Sequence, residues 1–189
     1  MNFVATLAPV TPPGEDDRGS PPVEFLTEFV TLLRKMPDSL YAPNQERYDI
    51  FDDIACTLGP WLSPLHRKAS LAEVLRVLSG FESSWNWNCG ADSTNETETD
   101  PYNASAGMWQ VAANSQYQRH DLQALIKQYV SSKDYGDFQK SMKEDHEFAL
   151  LYTTAFLRHT YRANGPIVSG KILPCLSRDA VKEFMGMLG

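Results

Sequence analysis

The sequence predicts a mainly α domain, on three observations. Apolar residues recur at three- and four-residue steps in six separate segments. No segment sustains the period-two alternation of a half-buried strand. The one long stretch without an apolar period, residues 86–104, is rich in Asn, Asp, Glu, Thr, Ser and Gly and reads as a polar loop long enough to serve function.

Taken in order, residues 9–22 carry five prolines, two glycines and the acidic cluster Glu15-Asp16-Asp17. Such a composition buries little apolar surface, so residues 1–21 are expected to form a flexible leader. The ordered domain, 22–189, is expected to open at Pro22, a residue suited to the first turn of a helix. Phe25, Leu26, Phe29, Leu32 and Leu33 then give one helical face, stopped at Pro37. Tyr48, Phe51, Ile54, Ala55 and Leu58 make a second, ending at Gly59-Pro60. A third, capped by Ser70, presents Leu71, Val74, Leu75 and Leu78 and runs toward Gly80-Phe81-Glu82. After the loop, helical periods return over 119–130, 145–162 and 177–188. The only β structure expected is a short pair within 86–110.

Length and charge narrow the function. A chain of 189 residues, 42% hydrophobic, favours one domain that buries roughly 70% of its unfolded surface. Seventeen basic against 24 acidic residues give a net charge of −7, the wrong sign for a phosphate-neutralising nucleic-acid binder. No run approaches the roughly 20 apolar residues of a transmembrane span. The opening segment has no basic n-region and only a short, interrupted apolar run, a poor secretory signal. Cys56, Cys89 and Cys175 fit neither a zinc set nor an even disulfide framework, and one disulfide or three thiols both stay open.

Common catalytic motifs are absent. His146-Glu147 begins like a zinc-protease helix, but the second ligand position holds Leu150. There is no glycine-rich phosphate loop, and Asn103-Ala104-Ser105-Ala106-Gly107 lacks the first glycine of a nucleophile elbow. No metal or cofactor is called for. What remains is Gly80-Phe81-Glu82-Ser83-Ser84-Trp85-Asn86 and, after the polar loop, Ser105-Ala106-Gly107-Met108-Trp109-Gln110-Val111. A glutamate ending an apolar helix, flanked by Phe81, Trp85 and Trp87, is expected to be desolvated and so held protonated as a general acid. The aromatic neighbours are expected to stack on sugar faces.

These two segments resemble the lysozyme-like lytic transglycosylases, relatives of the goose-type lysozymes. The family's first signature is a helix ending in Glu-Ser with Asn a few residues on, matched by Glu82-Ser83 and Asn86. Its second is a glycine, an apolar pair and glutamine, matched by Gly107-Met108-Trp109-Gln110 with Ser105 just before. Twenty-five positions separate Glu82 from Gly107, with a polar loop between. The two signatures span roughly 30 residues of the chain. The third, Ala-Tyr-Asn-Ala-Gly, is not present as such: Tyr161-Arg162-Ala163-Asn164-Gly165 has the residue types at another spacing, and Tyr152 is a second candidate for the tyrosine that bonds the glutamate.

The resemblance implies cleavage of the β-1,4 bond between N-acetylmuramic acid and N-acetylglucosamine in peptidoglycan, with Glu82 as acid and then base. It implies an enzyme acting on the cell wall, periplasmic or extracellular, by an export route the sequence leaves open, for example as a toxin or phage-associated wall enzyme. Ser83, Asn86, Ser105, Gly107, Gln110 and a tyrosine at 152 or 161 are the expected substrate-binding residues. Lytic transglycosylases need no second carboxylate, whereas hydrolysis would draw on Asp92 or Asp100 to position water. Glu96 and Glu98 are further acidic loop residues. Two rival readings are a chitosanase or chitinase, since 18 positions separate Glu82 from Asp100, and a non-catalytic glycan-binding domain of lysozyme shape. A cysteine peptidase built on Cys89 and His120 lacks an orienting third group at recognisable spacing.

Overall fold

The computed structural model describes residues 3–11, 14, 17–43, 48–91, 100–130, 134–159 and 165–189. It is mainly α, with eight helices among the described residues: α1 (Val23–Lys35), α2 (Ile50–Leu58), α3 (Pro64–Ser83), α4 (His120–Tyr129), α5 (Tyr135–Glu144), α6 (His146–His159), α7 (Gly165–Val168) and α8 (Arg178–Leu188). A two-stranded antiparallel hairpin, β1 (Ser105–Ala106) and β2 (Val111–Ala112), pairs Ser105 with Ala112 and Ala106 with Val111. Short 3-10 turns occupy Asp38–Leu40, Ala113–Gln118 and Leu173–Cys175. No helix among the described residues is long and apolar enough to cross a membrane.

The organising element is α3, which is buried on every side from His66 to Gly80. It begins before Ser70, which is an interior residue and not a cap. Ser63 caps it instead, its Oγ accepting the His66 amide at 3.0 Å, and Pro64 fills the first turn, where a missing N–H costs nothing. Leu71, Val74, Leu75 and Leu78 are fully buried, each contributing about 1.5–3 kcal/mol of transfer free energy. α8 packs most extensively against α3, while α1 lies on α6 and α8, and α2 lies on α3, α6 and α8.

Burying the whole circumference of α3 also buries its charges, and each is paired. Glu73 accepts from Arg76 at 2.7 and 2.9 Å and from the Ser177 backbone N–H at 2.9 Å, tying α3 to the cap of α8. Burial pushes the Glu73 carboxyl up, against the opposing pull of the Arg76 guanidinium. Near the N-terminal end, Asp49 caps α2 through the Phe51 amide and pairs with both Arg67 and Arg158. Arg67 also lies over the Phe51 ring at 3.7 Å.

Described residues of the expected flexible leader, among them 3–10, lie against this body. Glu183 on α8 accepts the amides of Val4 (2.5 Å) and Thr6 (2.6 Å), and Arg76 donates to the Ala8 carbonyl at 3.3 Å. Val10 is fully buried, with Phe3 and Leu7 packed on the core. A few apolar residues among the prolines suffice, because the body supplies both the apolar groove and the hydrogen-bond partners. Pro22 precedes α1 as its cap residue and is followed by the first helical turn.

The helices ending at Lys35 and Leu58, and those at 120–129, 146–159 and 178–188, match the periodicity. α5 is an addition: only Phe138 and Met142 of its ten residues are buried. The three cysteines are free thiols, and burial raises that of Cys175.

Candidate active site

Glu82 stands half-buried on the last turn of α3. The helix stops there through two consecutive left-handed residues, Ser84 (φ 52°) and Trp85 (φ 60°), each costing about 1–2 kcal/mol for a side chain bearing Cβ. Packing offsets that cost. The Trp85 indole folds back along α3, donates from Nε1 to the Arg76 carbonyl at 2.9 Å, and lies over Gly80. A Cβ on Gly80 would sit 2.7 Å from the ring, so glycine is what lets the indole close down on the helix end. Ser83 Oγ donates to the Ser79 carbonyl (3.1 Å) and accepts the Asn86 amide (3.2 Å). The Asn86 side chain accepts the Asn88 amide at 3.0 Å. Ser83 and Asn86 therefore shape the turn that follows the glutamate.

The second segment is the hairpin turn. Gly107 (φ 73°) sits where a Cβ would lie 2.4 Å from the Met142 carbonyl oxygen of α5. Gln110 is itself left-handed (φ 49°), and its side-chain amide donates to the Gly107 carbonyl at 2.8 Å, closing its own turn. Met108 and Trp109 are core residues, Trp109 Nε1 donating to the Leu75 carbonyl of α3 at 2.9 Å. Ser105 lies half-buried on β1.

The two segments, far apart in sequence, meet in space. The Gly107 amide donates to the Cys89 carbonyl at 2.9 Å, and the Trp87 and Trp109 rings meet edge to face at 5.4 Å. Among the described residues, Ser84, Trp85 and Gln110 are the three non-glycine residues with positive φ, and all three lie in these two turns. Backbone strain of this kind concentrates where a fold over-determines a site.

Other expected site residues are placed differently. Tyr152 is fully buried on α6 with its hydroxyl 2.8 Å from Ser115 Oγ, which in turn donates to the Ala112 carbonyl. Burial raises its pKa above the ordinary tyrosine value. Its visible work is to brace the end of β2. Asp100 uses both carboxylate oxygens in its own turn: Oδ1 accepts the Tyr102 (2.7 Å) and Asn103 (3.3 Å) amides, Oδ2 the Asn103 side chain (2.8 Å). Asp92, Glu96, Glu98, Tyr161 and Asn164 lie outside the described residues.

The expectation that Trp85 and Trp87 stack on sugar is corrected: both are buried, at 5% and 8% exposure. Trp87 is sandwiched among Phe25, Trp109 and His146, whose imidazole stacks on it at 4.0 Å and bonds Glu28 at 2.7 Å. Tryptophans this close to a core helix contribute more by burying area than by facing solvent. An open aromatic face occurs elsewhere, on Tyr117, with half-buried Tyr102 and Tyr135 beside it, a group that residue type alone did not single out.

No protein-family model matches the chain, and neither any curated protein nor any solved structure is detectably similar to it.

Proposed function

We propose that the chain is a lysozyme-like muramidase or lytic transglycosylase of the cell wall, cleaving the β-1,4 bond between N-acetylmuramic acid and N-acetylglucosamine. The observation that carries this reading is the junction of the strained turn after Glu82 with the Gly107–Gln110 turn, through Cys89–Gly107 and Trp87–Trp109. Glu82, half-buried on the last turn of α3, is the proposed general acid.

In the proposed reaction Glu82 gives its proton to the glycosidic oxygen as the C1–O bond breaks. The resulting carboxylate then takes the proton of the muramic acid 6-hydroxyl while that oxygen bonds to C1, closing a 1,6-anhydro ring and regenerating the acid. No water is consumed and one carboxyl suffices. The engagement of Asp100 in its own turn supports this route over a hydrolytic one that uses Asp100 as a second carboxylate. It also weakens a chitosanase reading built on the Glu82–Asp100 pair.

Mass spectrometry of purified peptidoglycan digested by wild type and by Glu82→Gln tests the proposal. Anhydro-muramic ends, reduced about 10²–10⁴-fold in rate by the substitution, are expected. Water-added reducing ends would move the reading to hydrolysis and to Asp92. Equal cleavage by both proteins would remove Glu82 from its role.

A further inference from the structure

Between α2 and α3 the chain turns through Gly59-Pro60-Trp61-Leu62-Ser63-Pro64, and no charged side chain occurs from Ile54 to Leu65. Leu62 is 76% exposed, more than any other large apolar side chain among the described residues, and Pro60 and Pro64 beside it are exposed as well. Trp61 is half-buried. Its ring meets Phe51 edge to face at 4.9 Å and lies 5.9 Å from the His66 imidazole, so the indole is seated on the body while Leu62 projects.

A lone exposed leucine is ordinary on a protein surface. What sets this one apart is the backbone that carries it. Pro60 and Pro64 have no amide N–H, the Gly59 amide donates to the Ala55 carbonyl (2.9 Å), and the Leu62 amide donates to His66 Nδ1 (3.1 Å). The carbonyls are held too: Arg178 donates to those of Thr57 (2.7 Å) and Gly59 (3.1 Å), and the Arg67 amide to that of Ser63 (3.1 Å). A loop whose polar backbone groups are partnered within the protein leaves water at low cost, the condition for entering hydrocarbon.

Arg178 is itself exposed, and it sets a guanidinium at the base of the tip. Leu62, Trp61 and Arg178 thus follow one another as apolar, aromatic and cationic, matching acyl chain, interface and phosphate in a lipid leaflet. The apolar surface is small, bounded by exposed Asp52 and Asp53 on α2 and by the Asp179–Lys182 pair on α8. A stable protein partner would cover roughly 800 Å² on this side and take in those charges. A bilayer surrounds a projecting tip and needs only the tip to be apolar.

We propose that this tip is a peripheral membrane contact, with Leu62 among lipid acyl chains and Arg178 at the phosphate of a zwitterionic headgroup. The neighbouring carboxylates and the net charge of −7 disfavour an anionic leaflet. One leucine makes a reversible contact, weaker than the roughly 10⁴ M⁻¹ of a single myristoyl chain. The proposal makes no use of Glu82 and stands or falls apart from the glycan-cleaving reading.

The test is tryptophan fluorescence of the whole chain with vesicles of phosphatidylcholine brominated along its acyl chains, at millimolar lipid. Trp85, Trp87 and Trp109 are buried, so quenching by bromine reports Trp61. Wild type is expected to be quenched, and Trp61→Phe is not. Leu62→Asp, at an exposed position, is expected to keep the wild-type melting temperature and lose at least about tenfold in vesicle association, while Leu62→Phe stays within about twofold of wild type. Absence of quenching in wild type, equal quenching in Leu62→Asp, or tighter binding to phosphatidylglycerol vesicles would overturn the proposal. So would self-association without lipid that Leu62→Asp abolishes, which would make the tip a protein contact.

Discussion

Gly107 and Gly170 share a left-handed backbone, φ 73° and 71°, but differ in what surrounds them. An alanine Cβ at 107 would lie 2.4 Å from the Met142 carbonyl oxygen, with the Met142 carbonyl carbon at 3.1 Å. At 170 the nearest atom is the Leu173 Cδ1 at 3.6 Å, an ordinary contact. Both substitutions incur the left-handed cost of about 1–2 kcal/mol. Both restrict the unfolded chain equally, so that effect cancels in the comparison. Gly107→Ala alone must also move backbone, either the hairpin turn or the last turn of α5, for a further cost of about 1–3 kcal/mol. The expectation is a loss of about 2–5 kcal/mol for Gly107→Ala against about 1–2 for Gly170→Ala. At roughly 2–4 °C per kcal/mol for a chain of this size, the two melting temperatures should differ by several degrees. Urea unfolding followed by tryptophan fluorescence, with a common m-value, measures the gap. Two variants within about 0.5 kcal/mol of each other would refute the argument that α5 holds the hairpin turn in contact.

Two further predictions concern titratable side chains. Burial, and then the Arg178 charge, hold His66 below its ordinary pKa of 6.5, in keeping with Nδ1 accepting the Leu62 amide at 3.1 Å. The neutral form is therefore favoured on folding: its stabilisation is present above pH 6.5 and is lost as pH falls through the lower folded value. Urea midpoints for wild type and His66→Asn between pH 5 and 7.5 should converge toward the acid end, and parallel curves would contradict the assignment. Tyr41 is 1% exposed with a hydroxyl that has no hydrogen-bond partner among the described residues. Tyr41→Phe is expected to stabilise the protein by about 1 kcal/mol at neutral pH, and a comparable loss on thermal unfolding would show that the hydroxyl is satisfied.

Amphipathic helices such as α1 and α8 were legible because part of their circumference faces solvent. α1 shows this in Phe25, Leu26, Phe29, Leu32 and Leu33, all buried. α3 was legible only in its second half, because a helix buried all round has no polar face to set a period, and its first turns read as polar through His66, Arg67 and Lys68. The Ser63-Pro64 pair carried the missing start signal, a cap followed by proline at the first position. α5 escaped because Phe138 and Met142, one turn apart, are its whole apolar face. The two segments singled out by residue type do meet in the fold, but what surrounds each side chain was not legible. Trp85 and Trp87 read as sugar platforms and are core, and Asp100 read as a water-positioning acid and is occupied by its own turn. Residue type says what a side chain can do; only its neighbours say what is left for it to do.

The all-round burial of α3 gives Glu82 the character of a probe on a clamped rod. Twenty residues at about 1.5 Å each make the rod roughly 30 Å long, held near its far end by Asp49, Arg67 and Tyr41 and at mid-length by the Glu73–Arg76–Ser177 junction. A rod gripped along its length rotates or slides only as a unit. The height and azimuth of the carboxylate are thus properties of the whole core, and loosening the grip at Arg67 should blur the aim of Glu82 before the protein unfolds.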